Sequence, residues 1–123
     1  MQAALFCGTR YGVDSNILHD IIYSLDFKTI IIHGDAAGVD SQVNSMAQER
    51  GMTIIPCPAQ WKVYGKSAGP KRNTEMLNML IALRNVGYEC KVYAYPKKDS
   101  RGTNDMIAQA RIARFHVMGK IIR

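Results

Sequence analysis

Four short apolar runs in this 123-residue chain each give way to a small-residue loop and then to a helical pattern. The loops are Gly8-Thr9-Arg10, Gly34-Asp35-Ala36-Ala37-Gly38-Val39-Asp40, Gly69-Pro70-Lys71-Arg72-Asn73 and Ser100-Arg101-Gly102-Thr103-Asn104-Asp105. Strands that alternate with helices imply right-handed crossovers and a parallel sheet covered on both faces. In such a sheet every loop that follows a strand lies on the same edge, and ligands bind at that edge. The alternation therefore predicts one crevice that gathers glycine-rich turns, arginines and helix N-termini. That is the construction of a phosphate or nucleotide site.

The elements can be placed more closely. Strands are expected at Ala3–Gly8, Thr29–His33, Thr53–Cys57, Lys91–Tyr95 and Val117–Ile121. Asp14 and Ser15 are N-cap candidates for a helix whose apolar stripe is Leu18, Ile21, Ile22 and Leu25. Val39, Val43, Met46 and Ala47 share one face of a second helix that stops at Gly51. Residues 59–69 read as a longer irregular loop. Pro70 suits the first turn of a helix running to about Asn85, with Met76, Leu77, Leu80 and Leu83 inward. A last helix spans Gly102–Phe115. The fold class is thus a single Rossmann-like three-layer α/β domain over residues 1–123, with a mostly parallel five-stranded sheet.

Charge is distributed unevenly. Residues 1–60 carry three basic and six acidic side chains, whereas residues 61–123 carry thirteen basic and four acidic ones. A basic excess this localised attracts anions, either a small phosphorylated ligand or nucleic acid. No apolar run approaches the roughly 20 residues of a membrane span, and the start lacks a signal-peptide pattern. The cysteines Cys7, Cys57 and Cys90 form no C-x-x-C pair and no Cys/His cluster. Reduced thiols in a cytoplasmic protein, with no metal and no cofactor, are the expectation. His33, at the end of a strand, reads as a structural histidine, and Met46, Met76, Met79, Met106 and Met118 as core filler.

Neither G-x-G-x-x-G nor a P-loop nor a G-x-S-x-G elbow occurs. The succession Cys7-Gly8-Thr9-Arg10, His33 to Asp40, Pro58 to Met76 and Arg101 to Met106 instead resembles the YspA/YpsA-related branch of the SLOG superfamily. That superfamily is named for the SMF/DprA proteins and the LOG phosphoribohydrolases. The resemblance covers nearly the whole chain and implies a nucleotide or nucleotide-derived ligand at the C-terminal edge of the sheet. It implies a sensor or sequestering module in a bacterial or phage setting. LOG enzymes carry an Arg-Lys pair and a later P-G-G-x-G-T-x-x-E motif. Here Arg72 matches the arginine, Asn73 replaces the lysine, and Gly102 and Thr103 match the G-T. Met106 stands at the glutamate, with Asp105 one residue earlier.

The ligand- or phosphate-binding candidates are Gly8, Thr9, Arg10, Gly34, Ala37, Gly38, Asp40, Gly69, Arg72, Asn73, Arg101, Gly102 and Thr103. Arg72 and Arg101 are expected to grip phosphate through their planar forks. Asp40 is placed either to stabilise the N-terminus of its own helix or to take a ribose hydroxyl or a partner arginine. Trp61 and Tyr64 could wall a base by stacking, although packing under the loop is an equal use for Trp61. Catalysis is open, with Asp105, Asp40 and Glu75 as the nearby acids.

Three functions follow. The first is a nucleotide binder without turnover. The second is a LOG-like N-glycosidase acting on nucleoside monophosphates. The third is a DprA-like single-stranded DNA binder, ranked last because the aromatic residues fall mostly inside predicted elements. A homodimer or larger assembly is expected, driven by an apolar helix surface around Met76, Met79 and Leu83.

Overall fold

The computed structural model describes residues 1–98 and 100–119. Five strands alternate with helices: β1 (Gln2–Gly8), α1 (Ser15–Ser24), β2 (Ile30–His33), α2 (Val39–Glu49), β3 (Thr53–Pro56), α3 (Trp61–Tyr64), α4 (Ala68–Asn85), β4 (Glu89–Tyr95), α5 (Arg101–Ile112) and β5 (His116–Met118). The strands form one sheet in the order β3-β2-β1-β4-β5, and every pairing is parallel. The chain winds outward from β1 to β3 and then returns to the other side of β1. A right-handed crossover places its helix on one face when the winding runs one way and on the opposite face when it reverses. The two cores follow this rule. Phe6, Leu18, Ile22, Ile31, Val39 and Val43 pack α1 and α2 on one face. Leu5, Ile32, Met76, Leu80, Val92, Met106 and Ala110 pack α4 and α5 on the other. Alternate residues of β1 serve opposite cores, as the two-residue period of a strand requires.

Helix ends are set by local chemistry. The Asp14 side chain accepts from the Asn16 N–H at 3.0 Å and caps α1. Helices α2 and α4 close in Schellman geometry. Gly51 N–H reaches the Gln48 carbonyl and Met52 N–H the Ala47 carbonyl, and Gly87 and Tyr88 repeat the pattern on Arg84 and Leu83. Helix α5 closes the same way with Arg114 at φ 65° in the left-handed position, and Phe115 folds back into the core behind it.

Several expectations need correction. Residues 59–69 are not irregular: they hold α3 and a 3-10 turn over Gly65–Ser67, and α4 begins at Ala68. Gly69 to Asn73 are therefore the opening turns of a helix rather than a loop. The last strand starts at His116, one residue early, and Lys120 and Ile121 lie outside the described residues. Met118 is 38% exposed and fills no core. The apolar surface expected to drive self-association is used within the chain. Met76 is buried, and Met79 and Leu83 pack against the α4–α5 core.

Candidate functional site

Strand order reverses between β1 and β4, and the loops that leave their C-terminal ends splay apart there. A cleft of about 1570 Å³ opens at this switch point. It exceeds the roughly 300–1,000 Å³ of an ordinary small-molecule site, so it is a trough with room for a whole nucleotide. Loops after β1, β2, β3 and β4 all contribute. Among the described residues its lining carries six cations (Arg10, Lys66, Arg72, Lys97, Lys98, Arg101) and three acids (Asp35, Asp40, Asp105).

The β1 and β2 loops are welded to each other. Gly38 has φ 80°, and a Cβ there would strike the Thr9 carbonyl and the Arg10 backbone. Only glycine permits this approach. Val39 N–H donates to the Thr9 carbonyl across the seam. At Gly8 a Cβ would meet Val39 Cγ2 at 2.6 Å, so that glycine admits α2 to the sheet. Gly34 leaves room for the Arg72 guanidinium. Gly69, buried in α4, faces the Trp61 ring, with Cη2 at 3.3 Å from an added Cβ. Gly102 differs from all of these: nothing lies within 4 Å of an added Cβ. Its bare backbone faces open space on the cleft wall.

Asp40 organises the β2 loop. Its Oδ2 accepts from the Gly34 N–H at 3.1 Å and from the Ala36 N–H at 3.3 Å. It thus satisfies the turn before α2 rather than the N-terminus of its own helix. Its Oδ1 is buried with no partner among the described residues. Burial pushes the carboxyl above the ordinary carboxylate range, against the pull of the two amides, His33 and Arg72. His33 is fully buried; its Nδ1 accepts from the Asp35 N–H, which leaves Nε2 to donate to Asn44 Oδ1 at 2.8 Å. Cys7, on the cleft floor, is no nucleophile: burial and the Asp40 charge push its thiol far up, with Arg72 pulling the other way.

The opposite wall is built by α4 and α5. Asn73 is 2% exposed and its Nδ2 donates to the Gly102 carbonyl at 2.9 Å and to Asp105 Oδ2 at 3.0 Å. Its Oδ1 accepts from Arg72 Nε. Asn73 therefore positions Gly102 and Asp105, and both its N–H groups are consumed in doing so. Arg72 also donates from Nη1 to the Gly34 carbonyl. Two of its five N–H donors brace the site, and three are left for a ligand. Ser100 accepts from the Lys97 N–H through its hydroxyl, closing a turn instead of capping α5. Among the described residues no side chain caps α5 and no acid stands in its first turn. The first N–H groups of that helix, at Arg101, Gly102 and Thr103, are thereby left for an outside acceptor.

Asp105 lines the cleft, with Oδ2 also accepting from Gln109 at 2.8 Å. Met106, the glutamate position of the resembling hydrolases, is sealed in the core at 0% exposure. Gly8, Thr9, Arg10, Gly34, Ala37, Asp40, Trp61, Gly69, Arg72, Asn73, Arg101, Gly102, Thr103 and Asp105 all reach the cleft; Gly38, Tyr64 and Glu75 do not line it. Gly38 acts one layer behind, and Glu75 lies on the exposed side of α4. Trp61 is not buried under its loop. It is 49% exposed, with the Arg10 guanidinium 6.0 Å from its ring. Sequence reasoning missed Tyr11, which is 84% exposed on the lining with Lys97 Nζ 4.4 Å from its ring. Its place two residues beyond the strand-ending Gly8-Thr9 was the available signal.

No family model matches the chain. The Gene 61 protein of Mycobacterium phage D29 is 29% identical over 86 residues, which is 63% of this chain and 69% of that protein. The X-ray structure of DNA processing protein A (DprA) from Streptococcus pneumoniae matches with a TM-score of 0.57 and 16% sequence identity. The match takes in 96% of this chain and 58% of that one. No helix among the described residues is long and apolar enough to cross a membrane. The chain is a Rossmann-like α/β domain with a DprA-like fold.

Proposed function

We propose that the cleft binds a phosphorylated nucleoside-type ligand without turning it over, with the phosphate seated on the N-terminus of α5. The observation that carries this reading is the uncapped first turn at Arg101, Gly102 and Thr103, with an unobstructed Gly102. Orphan N–H groups and the helix dipole favour an anion there, and Arg101, Lys97 and Lys98 add full charges around it. The resemblance to the YspA/YpsA branch points the same way, towards a sensing or sequestering role. Hydrolysis is disfavoured because the glutamate position is a core methionine and Asp105 is tied to Asn73 and Gln109. Mass spectrometry of small molecules released from denatured protein tests the reading, together with calorimetric titration of adenosine 5′-monophosphate. Absence of both a co-purified nucleotide and any binding overturns it. Base release from nucleoside monophosphates that disappears in Asp105→Asn would establish the N-glycosidase instead.

A second reading rests on a separate observation. Tyr11, Trp61 and Tyr64 are exposed, and each has a cation against its ring, from Lys97, Arg10 and Lys71. Stacking faces interleaved with positive charge suit a single nucleic-acid strand, and the structure with the similar fold is named a DNA processing protein. Binding of an oligonucleotide that weakens steeply with salt would favour this reading.

A further inference from the structure

The cleft is electrically two-sided. The anion-seeking end at α5 has Arg101 and an uncapped helix terminus, while the α2 end holds Asp40. Asp40 is 6% exposed, and its Oδ1 is buried without a hydrogen-bond partner among the described residues. A buried polar atom without a hydrogen bond is costly, and native interiors almost always supply one. The neighbouring groups do not supply it. The Gly34 and Ala36 amides are already committed to Oδ2, His33 donates to Asn44, and Arg72, which keeps three uncommitted N–H groups, reaches Oδ1 with none of them. Asp40 nevertheless belongs to the cleft lining. A donor that enters the cleft would complete it.

Resting on the nucleotide reading above, we infer that Asp40 Oδ1 is the specificity contact of the site and accepts a hydrogen bond from an uncharged O–H or N–H group of the ligand. This orients the ligand. A phosphate at the α2 end would meet a carboxylate, so phosphate lies over α5 and the donor-bearing part over α2. A sugar hydroxyl and an exocyclic amine of the base share the required chemistry.

The test titrates wild type and Asp40→Asn with adenosine 5′-monophosphate, its 2′-deoxy and 3′-deoxy counterparts, inosine 5′-monophosphate (no exocyclic amine) and inorganic phosphate. In Asp40→Asn the amide oxygen retains the two backbone N–H bonds, while NH₂ takes the Oδ1 place and turns an acceptor into a donor. In wild type the probe that lacks the matching donor should bind roughly 10- to 150-fold more weakly, the range for a hydrogen bond to a charged group. In Asp40→Asn that difference should collapse, with phosphate affinity kept. Which probe is penalised identifies sugar or base as the source. A second measurement needs no variant: the Asp40 carboxyl carbon resonance should move with adenosine monophosphate and stay in place with inorganic phosphate. Equal affinity of wild type for all four nucleotides overturns this inference and leaves the cleft reading standing. So does a penalty that persists unchanged in Asp40→Asn, or a silent Asp40 resonance in saturated protein. Failure of wild type to bind any probe overturns both.

Discussion

Replacing Gly102 by valine separates binding from folding. An added Cβ at this position meets no heavy atom within 4 Å, and the residue is exposed in the first turn of α5. Its conformation is helical, where valine is about 0.3 kcal/mol better than glycine. The melting midpoint of the variant should therefore stay within about 2 °C of wild type, as a few tenths of a kcal/mol imply. Binding should respond in the opposite way. The isopropyl group stands over the N–H groups that the Ser100 hydroxyl leaves uncapped. A phosphate pushed off even one of them loses a hydrogen bond to a charged group, about 1.5–3 kcal/mol, or roughly 10- to 150-fold in Kd. Calorimetric titration with adenosine 5′-monophosphate, run beside thermal denaturation, reads both quantities on one preparation. Undiminished affinity in a folded Gly102→Val protein would refute the placement of the phosphate on α5.

Gly38→Ala should have the reverse profile: its Cβ would strike the Thr9 and Arg10 backbone at a φ of 80°, so chemical denaturation should show a loss of about 2–4 kcal/mol. Tyr95 buries a hydroxyl that has no partner among the described residues, and burial, helped by Tyr93, pushes it up to about 12; Tyr95→Phe should be neutral or stabilising by up to about 1 kcal/mol, and a clear destabilisation would reveal a missed partner. Burial raises the Asp40 carboxyl above its unfolded value, so between the two values the native protein holds a proton that the unfolded chain has released, and stability falls as pH rises from about 4. Denaturation of wild type and Asp40→Asn at pH 4.5 and 8 checks the sign: relative to wild type, the variant should do better at the higher pH.

The sheet and the edge that carries the cleft were legible because their signals are local. A β-branched run such as Thr29 to Ile32 and a stripe such as Leu18, Ile21, Ile22 and Leu25 report the periodicity of their own element. Asymmetry of role was not legible. Gly8, Gly34, Gly38 and Gly102 look alike in sequence, yet three of them make room for protein atoms and only Gly102 faces open space. That distinction depends on Val39, Arg72 and the Thr9 carbonyl, which arrive from other elements. The bracing of Arg72 was not legible for the same reason, since one of its acceptors is the Gly34 carbonyl, 38 residues away. Asn73 appears in sequence as a lost lysine, whereas in space it ties α4 to α5.

The uneven charge of the chain acquires its meaning from topology. The sheet order splits the chain near residue 60: β1, β2 and β3 lie on one side of the switch point, and β4 and β5 on the other. Five of the six cations on the cleft (Lys66, Arg72, Lys97, Lys98, Arg101) come from the second half, and two of the three acids (Asp35, Asp40) from the first. Gradients of charge along a sequence are usually averaged out when a chain packs. Here the reversal of winding keeps the halves apart and sets their loops face to face across one trough. A uniformly basic trough would attract any anion by its field. On the nucleotide reading, a trough with a carboxylate at one end and bare helix N–H groups at the other imposes a direction and disfavours a molecule that is anionic along its whole length. Polyphosphate is such a molecule. It should therefore compete poorly with adenosine monophosphate for this cleft in a displacement titration, despite its greater charge, and effective competition by polyphosphate would mean that field alone governs binding.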